Sequence, residues 1–270
     1  MEQSANDSSL ITLSALRAMK ERSEKIACLT AYDASFAAVL SDAGVEVLLV
    51  GDSLGMVLQG HATTLPVTLE AMAYHTGCVS RARRRALIMS DMPFMSDATP
   101  LRALDSAAAL MREGAQVVKI EGGRVMLEMV RTLAERGIPV CAHLGLLPQS
   151  VHKRGYRVQG RDPAVASTMM EDARLLEGAG ADLLLLESVP AALAQRITAA
   201  ASVPVIGIGA GAACDGQVLV LHDLLGVSPR QPRFATDFLT GNSGGIAAAV
   251  ASYVRAVKDG SFPAAAHSFE

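Results

Sequence analysis

The sequence predicts an α/β protein folded as an eight-stranded (β/α)8 TIM barrel, and three observations predict it. One phrase recurs as SDAGVEVLLVGDS (41–53), MREGAQVVKIEGG (111–123) and LEGAGADLLLLES (176–188): a helix-ending glycine, a short apolar run, then a carboxylate. The steps from glycine to acid, 44 to 52, 114 to 121 and 180 to 187, are nearly equal. Runs this short and apolar are strands buried on both faces, as in a parallel sheet covered by helices. The core composition agrees, because half the residues are hydrophobic while only 4% are aromatic and none is Trp. Finally, 270 residues shared among eight units gives about 34 each, close to the size of such barrels. A doubly wound open sheet is the alternative architecture.

Residues 1–24, including SLITLSALRAMKE, are expected to form a helical extension packed across the N-terminal end of the barrel or against a partner subunit. Strands are then expected to end near Tyr32, Gly51, Asp91, Glu121, His143, Glu187 and Gly209, with a weaker eighth over 218–221. Thr99-Pro100 supplies a cap and a first-turn proline for a helix carrying Leu101, Leu104, Ala108 and Met111, which Gly114 ends. Residues 124–136 carry Met126, Met129, Val130 and Leu133 at helical spacing, and Asp162-Pro163 and Val189-Pro190 open two more helices. The connections 53–66 and 148–162 exceed the usual 2–6 residues and leave the strand ends where barrel enzymes build active sites. No linker divides the chain, so residues 1–270 are expected to form one domain.

Composition excludes several classes. Only 19% of residues are charged and the net charge is −3, which offers no broad footprint for nucleic acid. The one basic cluster, Arg81 to Arg85, is expected to be a solvated helix end. The start carries no basic-then-apolar leader and no run approaches a bilayer span, so a cytoplasmic protein without membrane attachment is expected. Cys28, Cys78, Cys141 and Cys214 form no metal or disulfide pattern, and buried reduced thiols are the default. The string GIGAGA (207–212) fits a dinucleotide fingerprint only formally, because it lies late in the chain with no acid closing a strand about 20 residues on. Serine hydrolase, Walker A and zinc-protease motifs are missing.

Asp52, Asp91, Glu121, His143 and Glu187 each stand at the end of a different expected strand, so a barrel gathers them on one rim. One acid at a strand end is commonly a helix cap; five such residues together are not explained that way. Clustered carboxylates repel unless a cation or a shared proton compensates, which points to a hard divalent metal, Mg²⁺ foremost. Lys119 lies two residues before Glu121 and therefore on the same side of its strand, facing the barrel mouth. It is either a structural partner of Glu121 or the cation for a substrate carboxylate or oxyanion, and the acid cluster favours the second. His143 is open between metal ligand, proton carrier and satisfied buried histidine, and is assigned as a substrate contact.

The same residues carry a resemblance. TAYD (30–33), VGDSLGM (50–56), TLPVT (64–68), DMPFM (91–95), VKIEGG (118–123), HLGLLPQSV (143–151), LLLES (184–188), PVIGIGAG (204–211) and DGQVLVLHDLLG (215–226) closely resemble the ketopantoate (3-methyl-2-oxobutanoate) hydroxymethyltransferase family, in order, from about residue 25 onward. The resemblance implies a barrel related to phosphoenolpyruvate mutase and isocitrate lyase. It implies Mg²⁺ on Asp52 and Asp91 with Glu121 acting through the metal's water shell, keto-acid contacts from Asp52, Ser53, Asp91 and Lys119, and Glu187 as general base. It further implies one-carbon transfer from 5,10-methylenetetrahydrofolate to 3-methyl-2-oxobutanoate, giving 2-dehydropantoate for pantothenate synthesis, in a homo-oligomer, commonly a decamer. Two departures are visible: Lys153-Arg154-Gly155-Tyr156 has one glycine where relatives commonly have two, and Asp97 stands where an aromatic residue is frequent. Both bear on loop shape and folate contacts. The rivals are a carbon–carbon lyase of the isocitrate lyase kind, whose cysteine-glycine-histidine loop is missing here, and a non-catalytic barrel subunit.

Overall fold

The computed structural model describes residues 10–270, so the first nine residues of the expected extension lie outside the described residues. Eight parallel strands close into one barrel: β1 (Ile26–Thr30), β2 (Val47–Val50), β3 (Leu87–Asp91), β4 (Val117–Glu121), β5 (Val140–Gly145), β6 (Leu183–Glu187), β7 (Val205–Ile208) and β8 (Gly216–Leu219). β8 pairs with β1, with Cys28 opposite Val218, so the sheet has no open edge and the doubly wound alternative falls. The expected strand ends hold to within about two residues. The eighth strand runs two residues earlier than expected, starting at Gly216 rather than Val218.

Helices follow the strands as their caps dictate. Thr99 Oγ1 accepts from Arg102 N (3.3 Å) ahead of the helix Pro100–Arg112, and Asp162 accepts from Ala164 N and Val165 N (2.9 and 3.1 Å) ahead of Pro163–Gly178. One expected face is corrected. The helix Pro100–Arg112 buries Ala103, Ser106, Ala107 and Leu110, while Leu101 is exposed, because small side chains let the helix lie close against the sheet. The 124–136 segment begins as a 3₁₀ turn, Arg124–Met126, before the helix Leu127–Glu135. The basic cluster ends the helix Leu69–Ala82, with Arg84 largely exposed; Arg83 instead turns inward, donating to Ala86 O (3.1 Å) and to the Gln116 side chain. The helix Gly245–Lys258 carries no cap signal that picks it out in the sequence. Its Tyr253 is buried and donates to Cys28 O and Gln217 O, each at 2.9 Å, across the seam where β8 meets β1.

Strand alternation divides the apolar residues into two cores. Ala27, Leu29, Leu48, Val50, Ile88, Val118, Ile120, Val140, Leu184 and Leu186 point outward to the helices. Cys28, Val47, Leu49, Leu87, Met89, Val117, Cys141, Leu183, Leu185 and Ile206 fill the barrel interior. The helix Leu13–Glu21 closes the N-terminal end by adding Leu16 and Met19 to that interior core. Lys20 fastens it through Asp215 (2.7 Å) and Thr198 O (3.0 Å), and Arg17 through Asp182 (2.7 Å). For the described part of the expected extension, the helix Leu13–Glu21, the packing is across the N-terminal end of the barrel. Among the described residues no helix is long and apolar enough to cross a membrane.

Candidate active site

The inward positions that are apolar at the sealed end become ionisable at the other. On β3 the inward series runs Leu87, Met89, Asp91; on β4, Val117, Lys119, Glu121; on β5, Cys141, His143; on β6, Leu183, Leu185, Glu187. Register carries these into contact, with Asp91 beside Lys119 and Glu121 beside His143. Asp91, Lys119, Glu121, His143 and Glu187 line one cavity of about 740 Å³ at the C-terminal ends of the strands, together with Asp52 and Ser53. Every site residue expected from the sequence is therefore in one place.

Asp52 arrives differently. It lies two residues beyond the last residue of β2, and the inward alternation of that strand, through Val47 and Leu49, falls next on Gly51. A Cβ on Gly51 would lie 2.8 Å from Ser53 Oγ and 3.6 Å from Asp91 Oδ2, so glycine allows the turn to fold over the neighbouring carboxylate. Asp52 N donates to Asp91 Oδ2 (3.0 Å), and Ser53 Oγ lies 2.9 Å from the buried Tyr32 hydroxyl. Glu187 is fixed by its backbone. Ser188 takes a left-handed φ of +50°, its N donates to Ile208 O (2.9 Å), and Glu187 O accepts from Leu146 N (2.8 Å). Gly145, opposite Glu187, has a φ of +99°, and a Cβ there would strike Glu187 O.

Lys119 is the central cation, 3.2 Å from Asp91 Oδ1, 3.8 Å from Glu121 Oε1 and 3.3 Å from His143 Nδ1. Burial opposes its charge, but Asp91, Glu121 and Asp52 together hold its ammonium above the ordinary lysine range. His143 is held below its usual value by burial and by Lys119, and so is a neutral imidazole. Its Nε2 lies 3.5 Å from Glu187 Oε2. Burial and then repulsion from Asp91 and Glu121 push Asp52 up to about 8, and burial and Glu121 push Glu187 up to about 8. Glu121 is the exception: burial raises it, but His143, Lys119 and a hydrogen bond from Gln149 N bring it below the ordinary range. Glu187 is also more open to the cavity than its neighbours, its side chain 17% exposed against 4% for Asp91 and for Glu121.

One lysine facing four acids leaves the site short of positive charge. Glu121 Oε1 and His143 Nε2 are buried with no hydrogen-bond partner, and Asp91 Oδ1 has only the Lys119 ammonium beside it, although all three residues line the cavity. Oxygen donors with unfilled valence and a deficit of positive charge fit a hard divalent cation. Among the described residues no three Asp, Glu, His or Cys side chains close around one point, as a caged metal such as structural zinc would require. Mg²⁺ needs only one or two carboxylates and keeps waters, so the donor set fits it.

Three features are not visible in the sequence. Tyr32 supports Ser53, Gln149 touches Asp52, and the cavity continues past Met56 and Tyr156 toward His222, Arg230 and Phe234. Tyr32 and Gln149 sit inside distinctive strings, TAYD and HLGLLPQSV, but nothing in their spacing announces a role. Of the two departures from the resemblance, the first stands at the end of the short helix Val151–Arg154, from which Tyr156 reaches the cavity, and Asp97 is buried outside the cavity lining, its carboxyl raised to about 6 chiefly by burial. Among the described residues no cysteine lines the cavity; Cys28, Cys141 and Cys214 are buried and Cys78 is partly so.

A model of the ketopantoate hydroxymethyltransferase family matches residues 10–265. The chain belongs to that family. It is 61% identical over 261 residues to the 3-methyl-2-oxobutanoate hydroxymethyltransferase of Thiobacillus denitrificans, covering 96% of this chain and 99% of the relative. It is equally identical to the enzyme of that name from Methylococcus capsulatus, covering 96% and 97%. Among solved structures, a putative phosphonomutase from Burkholderia cenocepacia superposes with a TM-score of 0.65 at 17% identity, covering 79% of this chain and 94% of that one. An oxaloacetate acetylhydrolase superposes with a TM-score of 0.58 at 15% identity, covering 93% and 98%. A 2,3-dimethylmalate lyase described as a phosphoenolpyruvate mutase/isocitrate lyase superfamily member superposes with a TM-score of 0.52 at 19% identity, covering 72% and 70%. At these identities the hydroxymethyltransferase family shares a barrel fold with that superfamily.

Proposed function

We propose that this chain transfers a hydroxymethyl group from 5,10-methylenetetrahydrofolate to 3-methyl-2-oxobutanoate, giving 2-dehydropantoate, the step that commits carbon to pantothenate. The observation that carries the proposal is the meeting of Asp52, Ser53, Asp91, Lys119, Glu121, His143 and Glu187 around one cavity in a chain of this family. Asp52 and Asp91 would hold Mg²⁺, with Glu121 acting through its water shell. When bound, the ion supplies Lewis-acid polarisation of the keto acid.

Lys119 keeps its proton and attracts the substrate carboxylate or the oxyanion that grows on the keto oxygen. Ser53, held by the Tyr32 hydroxyl, orients the substrate by hydrogen bonding. Glu187 takes the C3 proton. A carboxylate raised to about 8 is a far stronger base than an exposed one, and the charge it needs is present in part of the molecules at neutral pH. Neutral His143 lies beside both Lys119 and Glu187 and adds no charge to the site. The electron pair left on C3 forms the new bond to the methylene carbon, water supplies the hydroxyl, both carbon–nitrogen bonds that join this carbon to the folate break, and the C3 proton and one proton of the water end on the two folate nitrogens. A cavity of about 740 Å³ exceeds what a five-carbon keto acid fills, which supports a larger second substrate.

The buried Cys141 and the lack of a cavity thiol give no support to a cysteine-dependent lyase. We further propose a single 1–270 domain acting in the cytoplasm as a homo-oligomer of decameric size. Calorimetric titration with Mg²⁺ and 3-methyl-2-oxobutanoate, followed by turnover with the folate, tests the activity. Metal-dependent keto-acid binding and product are expected; binding of the keto acid to metal-free protein with equal strength would exclude it.

A further inference from the structure

Asp91 is carried inward by its strand, but Asp52 is not. It lies beyond β2 in a turn, and among the described residues no lysine or arginine forms a salt bridge with it. Something outside the strand must fix its side chain, and one residue does. Gln149, in the 3₁₀ turn Pro148–Ser150 after β5, donates from Nε2 to Asp52 Oδ2 and to Met92 O, each at 2.9 Å, and from its backbone N to Glu121 Oε2 at 3.0 Å. Both hydrogens of the amide nitrogen are thereby used. The opposite amide orientation would set oxygen against two oxygens, so the network admits only this one.

We propose that Gln149 is a positioning residue that holds Asp52 ready for Mg²⁺ and ties the loop after β5 to the acid cluster. The inference rests on the magnesium site proposed above. The residue type fits the task. A lysine at this position would neutralise Asp52 and compete with the cation, and an acid would repel it. An amide donates to the carboxylate while leaving its charge intact. Gln149 also spans three strand ends, through Asp52 after β2, Met92 after β3 and Glu121 on β4, so the loop and the ligands are ordered together.

The test is Mg²⁺ titrated by calorimetry into the full chain and into Gln149→Leu, which keeps bulk and removes both side-chain donors. Losing a hydrogen bond to a charged group predicts a dissociation constant about 10- to 100-fold higher. Turnover should fall at limiting Mg²⁺ and recover at excess. Gln149→Asn, about one methylene short of Asp52, should show the same weakening and serves if the leucine variant does not fold. A dissociation constant within twofold of the unaltered chain, with only the melting temperature lowered, would show that Gln149 merely braces the loop and overturns the inference. Failure of the unaltered chain to bind Mg²⁺ overturns the proposed site itself, and is seen without any substitution.

Discussion

The two ends of the barrel interior are built on the same strands by the same alternation, and they differ by one inward step. Leu87 and Met89 give way to Asp91, Val117 to Lys119 and Glu121, Cys141 to His143, and Leu185 to Glu187. At the sealed end the inward residues meet Leu16 and Met19 and lose all water. At the other they keep charge and leave buried polar atoms unpaired. The difference teaches that a barrel separates stability from chemistry by depth alone: the closed end supplies burial, and the rigidity it confers holds charges together that would otherwise move apart. If that separation is real, substitutions at one end should leave the property of the other nearly untouched.

The largest expected effect is at the open end. Asp52→Ala should abolish metal-dependent turnover while leaving the thermal midpoint of the metal-free protein unchanged or higher, because it removes one of several repelling acids. Measured Mg²⁺ binding equal to that of the unaltered chain would remove Asp52 from the ligand set. Next is Glu187→Gln, which should slow exchange of the keto acid's C3 proton with deuterated water by about 10²- to 10⁴-fold. Proton NMR follows this without folate, and keto-acid binding should persist. Exchange at the unaltered rate with turnover lost would move the base elsewhere, with His143 nearest at 3.5 Å.

The sealed end should answer in stability. Leu16→Ala opens a cavity in the interior core and should cost about 2–5 kcal/mol in denaturant unfolding. Turnover per folded molecule should stay within about twofold. A tenfold fall in turnover of the folded variant would mean that the plug and the site are mechanically coupled, and the comparison would break.

How much of this the sequence disclosed follows from the same geometry. Strand-end acids were legible because an apolar run ending in a carboxylate has a period of two, and parity then sends Asp91, Glu121 and Glu187 to one side. Asp52 was found by the repeated phrase even though its strand parity points away; the turn at Gly51, a tertiary feature, brings it back. Gln149 and Tyr32 act through contacts 97 and 21 residues away in the chain, and local spacing carries no trace of such pairs. The outward helix face through Leu101 was misleading because hydrophobicity favours leucine, whereas close helix–sheet packing here uses alanine and serine. The helix Gly245–Lys258 lacked a side-chain cap, so its start had no signature.

The smallest effect joins the two ends, because charge strain at the site must be borne by the stability of the whole. Glu187 and Asp52 are each raised from the ordinary carboxylate range to about 8 in the folded chain. Between those limits the folded state holds protons that the unfolded state has released, so the stability of metal-free protein must fall as pH rises and flatten above about 8. Asp97, raised to about 6, adds a slope of the same sign lower in the range. His143 and His222 are lowered, so they act in the opposite sense, but only up to the unfolded histidine value of 6.5. The interval from 6.5 to 8 therefore isolates the raised acids. It spans 1.5 units, or at most about 2 kcal/mol per group. Glu187→Gln cannot lose a proton and also relieves repulsion on Asp52, so unfolding followed in EDTA at pH 6.5 and pH 8 should show at most half the unaltered loss. An equal loss in both proteins would place the charge strain elsewhere, and the open end would then cost the barrel less than the geometry implies.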